Sequence, residues 1–327
     1  MVPTPRPFNQ RFFDTIADRN CGLNPDGARA TIAVMRISGF TFVRNAEAFG
    51  YPVQASIRSL LPLVDEFVVA LGPCSDNTEQ LIREIGDPRI RIIPTAWNEH
   101  VRSDTGVKGF VYGQQKTIAL FNCTGDWAFY LEADEVVHED DIPLIRACLE
   151  RHLHNDRVEA VVFDYLHFYG NRNTIAWSPA WYRQAARVIR NTIPAWAPKG
   201  LFFTVLDSPR RGRYPRAVAC DGARIFHYGW VRSEEQILHK HQLIKALFGN
   251  QPEKEIDLGE VDPRILRPFA GTHPAAVQSW LPPADGLFQA NAAYRPTSRD
   301  KRHRLLMQIE ALAGYHHNRK HYQLISG

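Results

Sequence analysis

The chain has 327 residues, 44% of them hydrophobic, enough for one large α/β domain or two smaller ones around an ample core. Thirty-nine Lys and Arg against 35 Asp and Glu leave a net charge of +4, too slight to argue for nucleic acid as a partner. The five cysteines, Cys21, Cys74, Cys123, Cys148 and Cys220, are odd in number and hold no Cys-x-x-Cys pair, so neither a disulfide framework nor a zinc site is indicated and a reducing cytoplasm fits best.

Residues 1–30 are rich in Pro, Asn, Arg and Asp without a sustained period, and are expected to form a loosely held N-terminal extension. No apolar run approaches the roughly 18 residues needed to cross a membrane, and the N-terminus lacks a charged-then-apolar signal pattern, so a cytoplasmic protein is expected. From about residue 32, strand and helix alternate: strand 31–38, helix 53–61, strand 66–71, helix 78–85, strand 90–94, helix 114–121, strand 127–131 and helix 140–152. Such alternation with short linkers predicts an α/β fold, a mostly parallel sheet flanked by helices. A strand at 158–168 follows, then an aromatic, Arg-rich stretch to about 230 with irregular spacing. A helix at 233–248, a Pro-rich connection to about 296 and a basic amphipathic helix at 298–313 complete the chain.

Residues 126–135, Asp-Trp-Ala-Phe-Tyr-Leu-Glu-Ala-Asp-Glu, form an apolar strand that runs into carboxylates. Hard oxygen ligands are thereby placed at the carboxyl edge of a sheet, where open α/β folds bind their ligands. Glu132 and Asp134 are two apart, so in a continuing strand both point to one face, where they repel each other or share a cation. A divalent metal holding a diphosphate accounts for the pair.

Other residues carry two readings each. Asp76, at the turn before helix 78–85, is either an N-cap or a contact to the base or ribose of a nucleotide. Lys116 is either a solvated surface lysine or, near a helix N-terminus, a phosphate contact. Arg183, Arg187 and Arg190 share one face of a helix but divide between faces of a strand, and serve either as a solvated face or as a clamp on a diphosphate or charged acceptor. The basic stretch Arg295, Arg299, Lys301, Arg302 and Arg304, followed by Leu305, Leu306, Ile309 and Leu312, either packs its apolar stripe on its own domain or lies on an anionic membrane surface as a peripheral contact.

An ordered set of motifs narrows these alternatives. Ile37-Ser-Gly-Phe-Thr-Phe-Val-Arg-Asn-Ala46, Asp65-Glu-Phe-Val-Val69, Ser75-Asp-Asn-Thr78, Gly125-Asp-Trp127 and Glu132-Ala-Asp-Glu135 together resemble the family-2 glycosyltransferases with a GT-A (Rossmann-like) nucleotide-sugar-binding fold, over roughly residues 35–165. Tyr182-Arg183, Arg187-Val-Ile-Arg-Asn191, His227-Tyr-Gly-Trp-Val-Arg232 and Gly271-Thr-His-Pro274 are similar to a bacterial branch of that family. The resemblance implies a GT-A domain over 31–250, with a nucleotide-sugar half at 31–165 and an acceptor-side half at 166–250, and a C-terminal extension over 251–327. It implies that Arg44, Asn45 and Glu47 edge the nucleotide site and that Asp76 contacts the nucleoside. Glu132-Ala-Asp134 stands where the family has Asp-x-Asp; the first acid is Glu, one methylene longer, which makes Asp134 the safer metal ligand. A later His often completes the set in that family, and His227, after the strand-like 223–226, is its counterpart. Taken alone, His227 is as readily a packed, hydrogen-bonded residue.

The expected activity is transfer of a sugar from a nucleoside diphosphate donor to a hydroxyl of a glycan, lipid-linked or other acceptor, with Mg²⁺ or Mn²⁺ on the diphosphate and inversion at the anomeric carbon. Asp164 and Asp207 are both candidates for the base, and the sequence does not choose between them. Nucleotidyl transfer is the alternative chemistry, but residues 39–50 lack the Gly-rich, Lys-bearing loop it ordinarily carries after the first strand. A catalytically silent carbohydrate-binding relative is the alternative outside catalysis, against which the carboxylates Asp76 and Asp134 stand.

Overall fold

Ile37, Val43, Phe67, Val69, Trp127 and Phe129 are buried in one hydrophobic cluster, while the interleaved Phe40, Val68, Ala70, Ala128 and Tyr130 are buried in another. Strands buried on both faces read as continuous apolar runs, which is why these were legible as parallel strands covered by helices. The computed structural model describes residues 34–98, 100–101, 109–247, 255–283, 286–313 and 321–327, so the expected N-terminal extension at 1–30 lies outside the described residues.

In chain order the elements are β1 (Ile37–Val43), α1 (Val53–Leu60), β2 (Glu66–Leu71), α2 (Thr78–Arg83), β3 (Ile90–Pro94), α3 (Phe110–Phe121), β4 (Trp127–Tyr130), β5 (Glu135–Val137), α4 (Ile142–His152), β6 (Ala160–Tyr169), β7 (Asn171–Ala176), β8 (Gln184–Arg190), β9 (Ala195–Trp196), β10 (Thr204–Ser208), β11 (Arg211–Arg213), β12 (Arg216–Trp230), α5 (Glu234–Leu247), β13 (Leu266–Pro268), α6 (Ser298–Ala313) and β14 (Gln323–Leu324). The main sheet has eleven strands and is mixed. Its first half, in the order β3-β2-β1-β4, is parallel throughout. Ile57 and Leu60 of α1, Ile82 of α2 and Ile145 and Leu149 of α4 pack on one face of this half, and Ala119 and Leu120 of α3 pack on the other.

Beyond β4 the pairing turns antiparallel, through β8, β6 and β7. The 15-residue β12 runs parallel to β6 and, on its other edge at Ile225–His227, antiparallel to β5. This half is the irregular stretch of the sequence; its strands bury charged heads such as Arg187 and Arg190, which breaks the apolar alternation that would have announced them. The first strand also starts later than expected, at Ile37, because Ile37, Phe40 and Val43 are the residues enclosed between β2 and β4.

α6 is held by two ion pairs. Arg183 Nη1 lies 2.6 Å from Glu310 Oε2, both side chains almost fully buried, and Arg304 Nη2 lies 2.6 Å from Asp262 Oδ1. Leu305, Ile309 and Leu312 of the foreseen apolar stripe remain exposed and Leu306 is half-buried, while Met307 packs on a buried hydrophobic cluster beside the ion pairs. No helix among the described residues is long and apolar enough to cross a membrane.

Candidate active site

The chain winds from β1 outward to β2 and β3, then returns across β1 to β4. That reversal places a crevice at the carboxyl ends of β1 and β4, the position where open α/β sheets take ligands. A cavity of about 470 Å³ lies there, lined by Val43 and Arg44 beyond β1, Tyr130, Glu132 and Asp134 from the end of β4, Leu201, and Lys240 from α5.

β4 stops at Tyr130, earlier than the sequence suggested, and Glu132 and Asp134 lie in the turn that leads into β5. The Glu135 amide donates to the Glu132 carbonyl at 3.0 Å and closes that turn. The two carboxylates therefore do not share a strand face; they part, each toward a different cation.

Asp134 is 2% exposed, and its Oδ2 accepts no hydrogen bond. The Lys240 ammonium stands 3.5 Å from this oxygen, and His227 Nε2 lies 3.8 Å from Oδ1. Burial opposes ionisation of Asp134, but Lys240, then His227 and Arg232, outweigh it and hold the carboxyl well below its ordinary range. Gly229 makes the approach possible. A Cβ there would stand 2.7 Å from the His227 ring and 3.1 Å from Asp134 Oδ2, so a larger residue would separate the two. Arg232, four residues after Tyr228, fixes this turn by donating to the carbonyls of Gly229 and Phe49.

A hydrogen-bond chain sets the tautomer of His227. His167 Nε2 lies 2.6 Å from the Tyr182 carbonyl, which can only accept, so the proton of His167 sits on Nε2. His167 Nδ1, 2.9 Å from His227 Nδ1, is then an acceptor and receives the His227 proton. The Nε2 lone pair of His227 is left facing Asp134. Burial is the main cause that pushes His227 down to about 4 and His167 down to about 3, so both rings are neutral near pH 7.

Glu132 follows another course. Its Oε1 lies 3.1 Å from Arg187 Nη2, while the fully buried Glu135 receives Arg187 Nε at 2.9 Å and the Tyr165 hydroxyl at 2.9 Å. Burial and then repulsion from Glu135 push the Glu132 carboxyl up to about 7, against the pull of Arg187. Arg187 is completely buried behind the acidic turn and also donates to the Leu201 carbonyl, so it braces Glu132 and Glu135 and is not a free diphosphate clamp. Arg190 donates to the carbonyls of His152, Leu153, Asn155 and Val158 and covers Trp127 from the far side of the strand.

The remaining sequence candidates divide. Arg44 lines the cavity, with its guanidinium 5.7 Å from the Trp97 ring. Asn45 accepts from the Ser75 amide, and Glu47 from the amide and side chain of Asn77. Asp76 accepts from the Ala48 amide at 2.9 Å and from the Thr78 amide and hydroxyl at 3.0 and 2.6 Å. These three residues stitch the loop after β1 to the loop after β2, and none is among the residues lining the cavity. Lys116 is neither a surface lysine nor a lining residue. It is wholly buried in α3, donates to the Gly200 carbonyl at 2.9 Å, and lies 3.9 and 3.8 Å from the ring centres of Tyr130 and Phe203. Asp164 is exposed and accepts from Gln184, while Asp207 is exposed and pairs with Arg213 at 2.7 Å. The structure brings neither base candidate to the cavity: Asp164 on β6 and Asp207 on β10 are both exposed and neither lines it.

No protein-family model matches this chain, and no curated protein does. Crystal structures of glucosyl-3-phosphoglycerate synthase from Mycobacterium tuberculosis are similar in part. Its complex with Mn²⁺, UDP and phosphoglyceric acid is 21% identical, with a TM-score of 0.30, over 41% of this chain and 44% of that one. Its complex with Mg²⁺ and UDP is 22% identical, with a TM-score of 0.29, over 41% and 44%. The match thus spans less than half the length of those structures, and likeness at this level assigns no activity.

Asp134 and His227 offer a divalent cation one carboxylate oxygen without a hydrogen bond and one imidazole lone pair, a hard and a borderline donor suited to Mg²⁺ or Mn²⁺. Glu132 lines the same cavity but pairs with Arg187. Among the described residues no group of three or more His, Cys, Asp or Glu side chains is arranged to hold a metal ion, so the remaining ligands would come from a diphosphate and water. Lys240, His167 and Glu135 were not foreseen. Each acts through a partner distant in sequence, and the one local signal was Glu135 itself, third acid of the 132–135 run.

Proposed function

We propose that this protein is a glycosyltransferase that takes its sugar from a nucleoside diphosphate donor, with Asp134 and His227 holding Mg²⁺ or Mn²⁺ against the diphosphate. The observation that carries the reading is Asp134 at the cavity wall, with a buried Oδ2 that accepts no hydrogen bond and an Oδ1 that lies 3.8 Å from the His227 Nε2 lone pair. Two acceptors so placed repel each other unless a cation stands between them. When bound, the metal would supply charge stabilisation for the departing nucleotide. Lys240 and Arg44 add positive charge at the same wall, where a diphosphate needs it.

Glu132 replaces Asp164 and Asp207 as the carboxylate able to take a proton from an acceptor hydroxyl. It lines the cavity, and a value of about 7 suits a base working near neutrality. Inversion is the outcome if Glu132 acts from the face opposite the leaving diphosphate. The partly similar structures are complexes of UDP with Mn²⁺ or Mg²⁺, which makes these the probes of choice. Calorimetry of UDP with Mn²⁺ should show binding that Asp134→Asn abolishes while circular dichroism stays unchanged. Equal affinity in both proteins would refute the metal assignment, and absence of nucleotide binding in the wild type would refute the function.

A further inference from the structure

A second cavity, of about 510 Å³, adjoins the first, and Tyr182 and Leu201 line both. Gln184, Ala185 and Ala186 of β8 line it from the sheet, and α6 contributes Arg299, Arg302 and His303 from one side of the helix. His321 stands over the same space, stacked on Phe202 at 4.4 Å between ring centres. Among the described residues none that lines this cavity is acidic, and Asp164, behind Gln184, accepts from its side-chain amide at 2.8 Å. The nearest carboxylate in sequence, Asp300, is turned away, accepting from the Tyr294 hydroxyl at 2.7 Å and from the Thr297 amide and hydroxyl at 2.8 and 2.6 Å.

Two guanidinium groups border one concavity with no lining carboxylate beside them among the described residues. α6 cannot swing out freely, because Arg183–Glu310 and Arg304–Asp262 hold it on the domain. Burial, then Arg299 and Arg302, depress the imidazolium form of His303, as such crowding requires. An arrangement of this kind is relieved by an anion, and arginine's planar fork matches a phosphate or carboxylate in two-point contact.

We propose that this basic cavity receives the phosphate or carboxylate group of the acceptor. The proposal rests on the glycosyltransferase reading for the word acceptor, but the anion site itself stands on the lining residues alone. With the anion held by Arg299 and Arg302, the rest of a small acceptor extends toward Tyr182 and Leu201, which border both this cavity and the one lined by Glu132 and Asp134. Selection would then fall on phosphorylated or carboxylated hydroxy compounds over neutral sugars of the same size.

The test uses the full chain, with glucose 6-phosphate, inorganic phosphate and glucose as probes in calorimetry, and UDP with Mn²⁺ titrated separately. Wild type should bind glucose 6-phosphate and phosphate but not glucose. Arg299→Glu with Arg302→Glu should weaken phosphate binding at least tenfold, and Arg302→Gln should give an intermediate loss, both with UDP affinity unchanged. Both arginines are exposed, so melting temperature should stay near the wild-type value, and the milder variant decides if the double one fails to fold. Phosphate binding equal in all proteins, or absent in the wild type, would overturn the proposal. So would flotation on vesicles of phosphatidylcholine with 20% phosphatidic acid that depends on both arginines while soluble phosphates do not bind, since the cavity would then serve a lipid surface. Loss of UDP binding in the wild type, with phosphate binding intact, would sink the glycosyltransferase reading and leave the anion site standing.

Discussion

His167 Nδ1 lies 2.9 Å from His227 Nδ1, and because His167 must keep its own proton on Nε2 for the Tyr182 carbonyl, it decides which nitrogen of His227 faces Asp134. Partners of this kind orient a metal-binding imidazole and raise its basicity. His167→Phe keeps a planar ring among Tyr165, Trp181 and Tyr182 but removes the acceptor. Mn²⁺ affinity in the presence of UDP should fall about 10- to 100-fold. Long-range ¹H–¹⁵N correlation on the metal-free protein gives an independent reading: His227 should carry its proton on Nδ1 and His167 on Nε2. The opposite tautomer at His227 would remove the basis for its role.

Lys240 is the counter-charge of Asp134 while no metal is bound. In Lys240→Met the carboxylate is left buried beside only a neutral imidazole and the more distant Arg232. The melting temperature should drop by the equivalent of about 2 kcal/mol, less than a fully enclosed pair would lose because the lysine is one quarter exposed. Mn²⁺ should restore more stability to this variant than it adds to the wild type. Thermal melts of both proteins with and without Mn²⁺ measure the difference, and equal metal shifts would contradict it.

The two histidines also set a pH dependence. Both folded values, about 4 and about 3, lie below the ordinary 6.5 of an unfolded imidazole, so the unfolded chain binds more protons between pH 4 and 6.5. Their contribution is complete above pH 6.5 and is lost as pH falls toward 4. At pH 5 the loss should be on the order of 2 kcal/mol, counted once because the rings share a hydrogen bond. Wild type should lose more stability between pH 7 and pH 5 than His167→Phe. Chemical denaturation at the two pH values provides the comparison.

Gly229→Ala places a methyl group 2.7 Å from the His227 ring. Stability should fall by about 1–3 kcal/mol, as for other forced insertions into a packed site. Mn²⁺ affinity should fall with it, because the methyl drives His227 away from Asp134. A variant that melts lower yet binds Mn²⁺ as tightly as wild type would show that the imidazole is not a ligand.

The parallel half of the sheet was legible because each strand is a short apolar run and each helix an amphipathic one, local properties that survive without tertiary context. Its antiparallel partner half was not, since Arg187 and Arg190 occupy buried strand positions whose solvation is supplied by Glu135 and by the 152–158 carbonyls. The same distinction runs through the site. The acidic turn at 132–135 could be recognised from the strand ahead of it, and the structure sets His227 beside Asp134. The His167–His227 pair spans 60 residues, and Lys240 comes from a helix with no motif of its own, so nothing local announced either. Asp164 and Asp207 had the right chemical type, but type does not tell direction, and both point outward. Asp76, Asn45 and Glu47 lie beside strand ends as expected, and their side chains accept hydrogen bonds from the neighbouring loops.

The pairing of Arg183 with Glu310 alters how this chain can be cut. By sequence pattern alone, the Pro-rich passage before residue 296 is the natural place to shorten the protein, with 251–327 treated as an appendage. Yet removal of α6 would take away the carboxylate 2.6 Å from an arginine that is only 4% exposed, and would uncover Asp262 at the same stroke. Paired charge thus argues for keeping α6 with the rest of the chain whatever the linker composition, and a truncation before residue 296 should be markedly less stable than the full chain.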